Sequence, residues 1–282
     1  MARRIPALLS VGAAAIVAAG AIIATPASAT QTLLPEAATK PVPQRAKPTV
    51  VLVHGAFADS SGFNDVITQL TRDGYPVRTV ADPLRGLPTD VAAAKAVLQS
   101  ISGPIVLVGH SYGGAVISNA AAGDPDVKAL VYLAALVPDA GENASGPSGV
   151  PITHPLPPLP LVEVPTVAAD GTPGADEYVA QDQFRDRFAG DVDRATAATM
   201  AVTQRPLERS AGASPSTAAA WRTIPSWYLV TAQDRTLAPE LQRFLAKRAG
   251  SHTEEVDSSH AVMVSHPGAV TRLIEEADRG TR

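Results

Sequence analysis

From residue 49 onward, short apolar runs alternate with segments whose apolar residues recur at helical spacing. Thr49-Val50-Val51-Leu52-Val53 is a continuous β-branched run, as a strand covered on both faces requires. Ser61 to Asp73 predicts a helix, capped by Ser60 or Ser61 and stopped at Gly74. Pro76 to Ala81 predicts the next strand, and Asp90 to Ser100 a helix with Thr89 as its cap. Pro104 to Val108 is again a buried strand, and Tyr112 to Ala122 a helix of small residues. The stretch Val127 to Val137 holds the strand Ala129-Leu130-Val131-Tyr132-Leu133. Strand and helix in strict alternation predict an α/β fold: a mostly parallel sheet with helices on both faces.

The alternation breaks over residues 138–222. No strong strand pattern occurs there, and residues 147 to 165 are rich in proline. Two helical stretches follow, near 175–189 and 191–204. Phe184 and Phe188 lie four apart on one helical face, which suits packing over a pocket or onto the core. The segment is long for a connection, so it predicts a helical, proline-rich cap insertion over a site. Alternation resumes with Ser226-Trp227-Tyr228-Leu229-Val230. A helix from Pro239 to Ala249 stopped by Gly250, a short strand Thr253 to Val256 and a last helix from Pro267 to about Ala277 complete the pattern.

The N-terminus has a different pattern. Met1-Ala2-Arg3-Arg4 is a short basic segment, Ala7 to Ala24 is almost wholly apolar, and Ala27-Ser28-Ala29 matches an A-x-A cleavage site. These are the features of a secretory signal over residues 1–29, which predicts a secreted, extracytoplasmic protein without stable membrane association once the signal is cleaved after Ala29. Residues 30–48, with four prolines, predict an exposed linker, and residues 49–280 form the predicted domain. The net charge of −4 and the absence of a basic patch argue against nucleic acid as a partner. With no cysteine, a thiolate metal site or a cysteine nucleophile is excluded. No metal-ligand spacing and no glycine-rich nucleotide loop occurs, so no metal and no cofactor is expected.

The most informative motif is Gly109-His110-Ser111-Tyr112-Gly113-Gly114, between a predicted strand and a predicted helix. A G-x-S-x-G turn in that context exposes a strained serine hydroxyl above the sheet. A serine needs a base, and the base needs an orienting acid. His260 follows the late strand at Asp257-Ser258-Ser259, whereas His54 and His110 sit within glycine turns, and His154, His252 and His266 occupy the insert or helix ends. His260 is therefore the expected base. Asp234, after the strand ending near Val230, is the expected acid, with Asp139 as its rival. The oxyanion donors are expected to be the backbone N–H groups of Tyr112 and of Ala56, in the loop His54-Gly55-Ala56-Phe57.

Three stretches, Val51 to Phe57, Gly109 to Gly114 and Ser258 to Met263, together resemble the α/β-hydrolase superfamily. They are most similar to its small esterases and lyases, which include plant methyl-ester hydrolases, pyrethroid-type carboxylesterases and hydroxynitrile lyases. The resemblance spans residues 49 to about 280. It implies a cofactor-free Ser-His-Asp hydrolase, and the run Ala232 to Thr236 resembles the family's acid-bearing loop, which favours Asp234. Ala261 departs from the lyases, which carry a lysine there. The expected activity is hydrolysis of small to medium, largely apolar carboxylic esters through an acyl-enzyme on Ser111. A lyase or perhydrolase on the same triad, or a non-catalytic binding protein on the same fold, are the alternatives.

Overall fold

The computed structural model describes residues 46–168 and 170–282. The signal segment and most of the linker expected at the N-terminus lie outside the described residues. Lys47 and Pro48, expected in that linker, already belong to the folded body: Pro48 is buried and the Lys47 ammonium stands 3.8 Å over the Tyr75 ring.

The elements run β1 (Thr49–Val53), α1 (Asn64–Arg72), β2 (Val77–Val80), α2 (Leu87–Gln99), β3 (Ile105–His110), α3 (Gly113–Ala120) and β4 (Val127–Leu133). After the insertion come β8 (Ser226–Thr231), α6 (Pro239–Ala249), β9 (His252–Val256), α7 (Val262–Ser265) and α8 (Pro267–Gly280). Their strands form one parallel sheet in the order β2-β1-β3-β4-β8-β9. Alternate residues of each strand enter opposite cores. Val51, Val53, Leu107, Leu130 and Tyr228 face the layer that includes α2, α3 and α6. Val50, Leu52, Val106, Val131 and Leu229 face α1 and α8. Each such side chain, fully buried, stabilises the fold by about 1.5–3 kcal/mol. Because all six strands point one way, β1, β3, β8 and β9 deliver their following loops to the same edge, where sites of open α/β sheets form.

Several local expectations are corrected. The helix after β1 opens with a tight turn over Ser60–Phe63, and Asp59 rather than Ser60 or Ser61 caps it, accepting from Ser61 N–H at 2.8 Å. The α2 helix begins at Leu87 with Pro88 in its first turn, so Thr89 lies inside it and is no cap.

The larger correction concerns residues 138–222. The cap is not simply helical. It carries β5 (Leu161–Val167), β6 (Pro173–Val179) and β7 (Leu207–Glu208), an antiparallel sheet in that order, beside α4 (Gln181–Phe188) and α5 (Arg194–Thr203). The first of the two helical stretches expected in the insert thus begins as a strand. The physical reason is that β5 is an edge strand exposed along almost its whole length. It needs no apolar alternation, and an edge tolerates Pro165.

Candidate active site

The serine turn is built by close backbone approach. Ser111 follows β3 with φ +53°, in the left-handed region that a side chain rarely occupies. Such a conformation costs on the order of 1–3 kcal/mol and persists only when its surroundings hold it. Here Ser111 N–H donates to the Leu133 carbonyl at 3.1 Å, and the Ser111 carbonyl accepts from Gly114 and Leu136, each at 3.0 Å. The glycines are required by space. A Cβ on Gly113 would stand 2.7 Å from the Val53 and His54 carbonyl oxygens. One on Gly55 would stand 2.6 Å from Ser111 Cβ. Ser111 itself is half-buried at the mouth of the turn.

The loops after β8 and β9 bring Asp234 and His260 together in the interior. His260 Nδ1–H donates to Asp234 Oδ2 at 2.6 Å, and both side chains are inaccessible to solvent. Four further donors replace the hydration of that carboxylate. Oδ1 accepts from the Thr236 and Leu237 N–H groups at 2.7 and 2.8 Å. Oδ2 accepts from Thr231 Oγ1 at 3.0 Å and Gln242 Nε2 at 2.7 Å. The rival carboxylate, Asp139, is turned outward into a pair with Arg222 and does not meet the imidazole.

The His260 ring packs between two others. Its centroid lies 4.7 Å from His110 and 4.8 Å from Phe188, the latter edge-on. Phe188 in turn stacks on Phe184 at 5.0 Å. The core reading of the two phenylalanines holds: both are fully buried, and Phe188 is a wall of the imidazole's seat. The remaining nitrogen, His260 Nε2, is buried with no protein partner, so no hydrogen bond within 3.5 Å joins it to Ser111 Oγ. The serine and histidine segments are nonetheless tied, because His110 Nε2–H donates to the His260 carbonyl at 2.9 Å.

Beside the serine, Ala56 and Tyr112 are both buried. Phe57, at φ +60°, gives its N–H to the Arg205 carbonyl at 3.1 Å. The Ala56 and Tyr112 N–H groups have no acceptor among the described residues. Both are therefore free to donate. The Tyr112 hydroxyl donates to Asp90 Oδ2 at 2.8 Å, which anchors the residue from behind.

His54 and His110 are framework residues. His54 Nε2 accepts from Asp82 N–H at 3.1 Å, so Nδ1 carries the proton and donates to the Gly55 carbonyl at 2.9 Å. Burial pushes the pKa of His54 down and that of His110 well down. Among the other histidines, His154 contacts Glu240, His252 stacks on Trp227, and His266 lies beside Asp191.

Sequence reasoning did not find Gln242, Asp90 or Asp82. The trace of Gln242 is a glutamine on the α6 face that also carries the buried Leu245 and Ala246. Asp82 is fully buried, and neither of its oxygens has a hydrogen-bond partner among the described residues. Burial, and then the neighbouring Asp90 charge, push its carboxyl up to about 8.

A six-stranded parallel sheet with a strained serine on its carboxyl edge, and a His-Asp pair beside it, is the architecture of a hydrolase. Residues 50–273 match the model of the alpha/beta hydrolase family, and the chain belongs to that family. It is 27% identical over 254 residues to the alpha/beta hydrolase nvfD of Aspergillus novofumigatus (strain IBT 16806), covering 82% of this chain and 96% of that protein. Among solved structures, polyneuridine aldehyde esterase superposes with a TM-score of 0.68 at 17% identity, covering 82% of this chain and 98% of that one. A pyrethroid hydrolase from Sphingobium faniae JZ-2 superposes with a TM-score of 0.65 at 21% identity, over 82% and 97% of the respective chains.

Asp82 supplies a stability test. Its folded pKa of about 8 lies above the ordinary 3.8, so its favourable contribution is complete below about pH 4 and is lost as pH rises towards 8. Asp82→Asn removes that loss. Its melting temperature should match or trail wild type at pH 4 and exceed it by a growing margin up to pH 8, at up to about 1.4 kcal/mol per pH unit. Calorimetry across pH checks this, and parallel curves would refute it.

Proposed function

We propose that the protein is a serine esterase acting on small to medium carboxylic esters whose reacting end is largely apolar. The observation that carries this reading is the buried Asp234–His260 hydrogen bond, which takes up Nδ1 and leaves Nε2 buried without a partner among the described residues. Nε2 takes the Ser111 proton as Oγ attacks the ester carbonyl. The tetrahedral oxyanion is received by the Ala56 and Tyr112 N–H groups, which have no competing acceptor. His260 then protonates the departing alcohol, and water, deprotonated at the same nitrogen, releases the acyl group. Ala261 places a buried methyl beside the base, so no ammonium stands there to hold an anionic leaving group.

The groove beside the oxyanion loop supports the substrate class. Its narrow inner end is lined by Phe57, Ala58, Met200 and Met263 and also by Asp59, Thr203 and Gln204. It widens between α5 and the Ser60–Phe63 turn into a cavity of about 450 Å³ edged by Asn64, Thr196 and Thr199. The wider part has room for a small to medium acyl or alcohol group. Among the described residues no helix is long and apolar enough to cross a membrane. The signal-like N-terminus supports export of the enzyme, with cleavage after Ala29.

Three outcomes follow from this reading. Wild type hydrolyses p-nitrophenyl esters, and Ser111→Ala retains its circular dichroism and melting profile while losing at least about 10³-fold in kcat; equal turnover by the two proteins would end the assignment. Met200→Trp, which narrows the groove, raises KM for a p-nitrophenyl octanoate several-fold more than for the acetate, and an equal change for both would remove the groove from the substrate path. N-terminal sequencing of protein collected from the culture medium should begin at Thr30, and an intact Met1 on exported material would contradict cleavage.

A further inference from the structure

The cap is stitched to both loops that carry the acid and the base. On the acid loop, the Arg187 guanidinium donates to the Arg235 carbonyl at 3.2–3.3 Å, Thr236 Oγ1 donates to the Arg187 carbonyl at 2.9 Å, and Arg235 pairs with Asp186. On the base loop, Ala261 N–H donates to the Phe188 carbonyl at 3.1 Å, and Ser259 Oγ donates to Asp191 Oδ1. The last turn of α4 and the loop after it thus clamp the segments on either side of the Asp234–His260 bond.

Asp191 is the polar centre of the clamp. It comes from the cap, between α4 and α5, yet its carboxylate is surrounded by base-loop groups. Ser259 is the residue immediately before His260. Ser258 joins Ser265 at 2.9 Å, and His266 Nδ1 lies 3.5 Å from Asp191 Oδ2 and 3.0 Å from Ser265 Oγ. Burial pushes the Asp191 carboxyl up, but the neighbouring serine hydroxyls, the bonded Ser259 first among them, outweigh it and hold the group below its usual range.

We propose that Asp191 is a positioning residue for the reaction, fixing through Ser259 the loop that presents His260 to Ser111. This rests on the esterase reading above. Asp191 touches neither the reacting atoms nor the imidazole. It acts because a base has to sit within a few tenths of an ångström of its productive place, and a misplacement of about 1 Å costs on the order of 100-fold. The imidazole has one fixed hydrogen bond, to Asp234, and its backbone is held by His110 on one side and by the cap on the other. Removing the Asp191 bond leaves the cap side of the loop held by the Ala261–Phe188 bond alone, so the backbone that carries the ring can shift relative to Asp234. Substrate binding, which uses the groove beyond α5, is not directly altered.

The test compares wild type, Ser111→Ala, Asp191→Ala, Asp191→Asn, Ser259→Ala and the Asp191→Ala/Ser259→Ala pair on p-nitrophenyl acetate. Asp191→Ala should lower kcat about 10-fold or more with KM within about twofold of wild type. Asp191→Asn keeps an acceptor oxygen at the same place and should recover most of that loss. Ser259→Ala should lower kcat in the same direction as Asp191→Ala, and the double variant should be no slower than Asp191→Ala alone, since Asp191→Ala already removes the Ser259 bond. Should Asp191→Ala fail to fold by circular dichroism, Ser259→Ala and Asp191→Asn carry the comparison. A wild-type rate that Ser111→Ala does not abolish overturns the esterase reading. A Ser111-dependent rate that stays within twofold in Asp191→Ala, or in Ser259→Ala where the former does not fold, overturns the role of Asp191 alone. So does a loss that appears only as KM, or one that Asp191→Asn does not repair.

Discussion

A carboxylate taken out of water has to be given its hydration back as hydrogen bonds, and the rest of this site depends on how Asp234 receives them. Burying an ionised carboxyl without partners costs many kcal/mol. Asp234 is surrounded by five donors from three places: its own turn, the α6 helix and His260. Thr231 and Gln242 are themselves bonded to each other at 3.0 Å, so the carboxylate sits in a closed network rather than a row of separate contacts. That network fixes the oxygen that meets Nδ1. It thereby fixes the imidazole's tautomer, and leaves Nε2 as the acceptor.

The serine half of the site is organised by steric exclusion instead of polar compensation. The strained φ of Ser111 is maintained because Gly113 lets the start of α3 approach the ends of β1. Gly55 lets the loop after β1 approach the serine from the other side. The two halves answer to different physics, and they meet at His110, whose ring touches His260 while its backbone leads directly into Ser111. A parallel sheet makes the meeting possible, because only parallel strands end their loops on one edge.

What could be read from the residues follows the same division. Strands buried on both faces, such as Thr49–Val53 and Ser226–Thr231, declare themselves as unbroken apolar runs, and the Pro239 start and Gly250 stop bound α6 to the residue. The serine turn was legible because its steric demand is met locally by glycine. The cap sheet was not, since Leu161–Val167 is exposed on both faces and contains a proline, so nothing in its pattern distinguishes strand from loop. Asp191 and Gln242 escaped for another reason. Each is an ordinary polar residue locally and acquires its role through partners 68 and 8 positions away, which only the folded chain brings within reach.

The charges around the serine bear on the chemistry that such a site favours. His54 and His110 flank it, yet burial lowers both, and each already spends a ring nitrogen on the backbone. Ala261 adds no charge, and the Asp82 carboxyl behind the oxyanion loop is pushed up to about 8, first by burial and then by the neighbouring Asp90. Under the proposed reading a developing oxyanion meets oriented backbone dipoles, and the cation whose charge reaches His54 and Asp82 is the exposed Arg205. Such an arrangement serves a negative charge that appears briefly on a carbonyl oxygen and collapses again. It gives little to a leaving group that must depart as a stable anion, for which a positioned ammonium would be needed. Under the proposed reading this is the physical reason for ester cleavage: the alcohol leaves as a neutral molecule, protonated by the same Nε2 that activated Ser111, and no further charge has to be stabilised in the pocket.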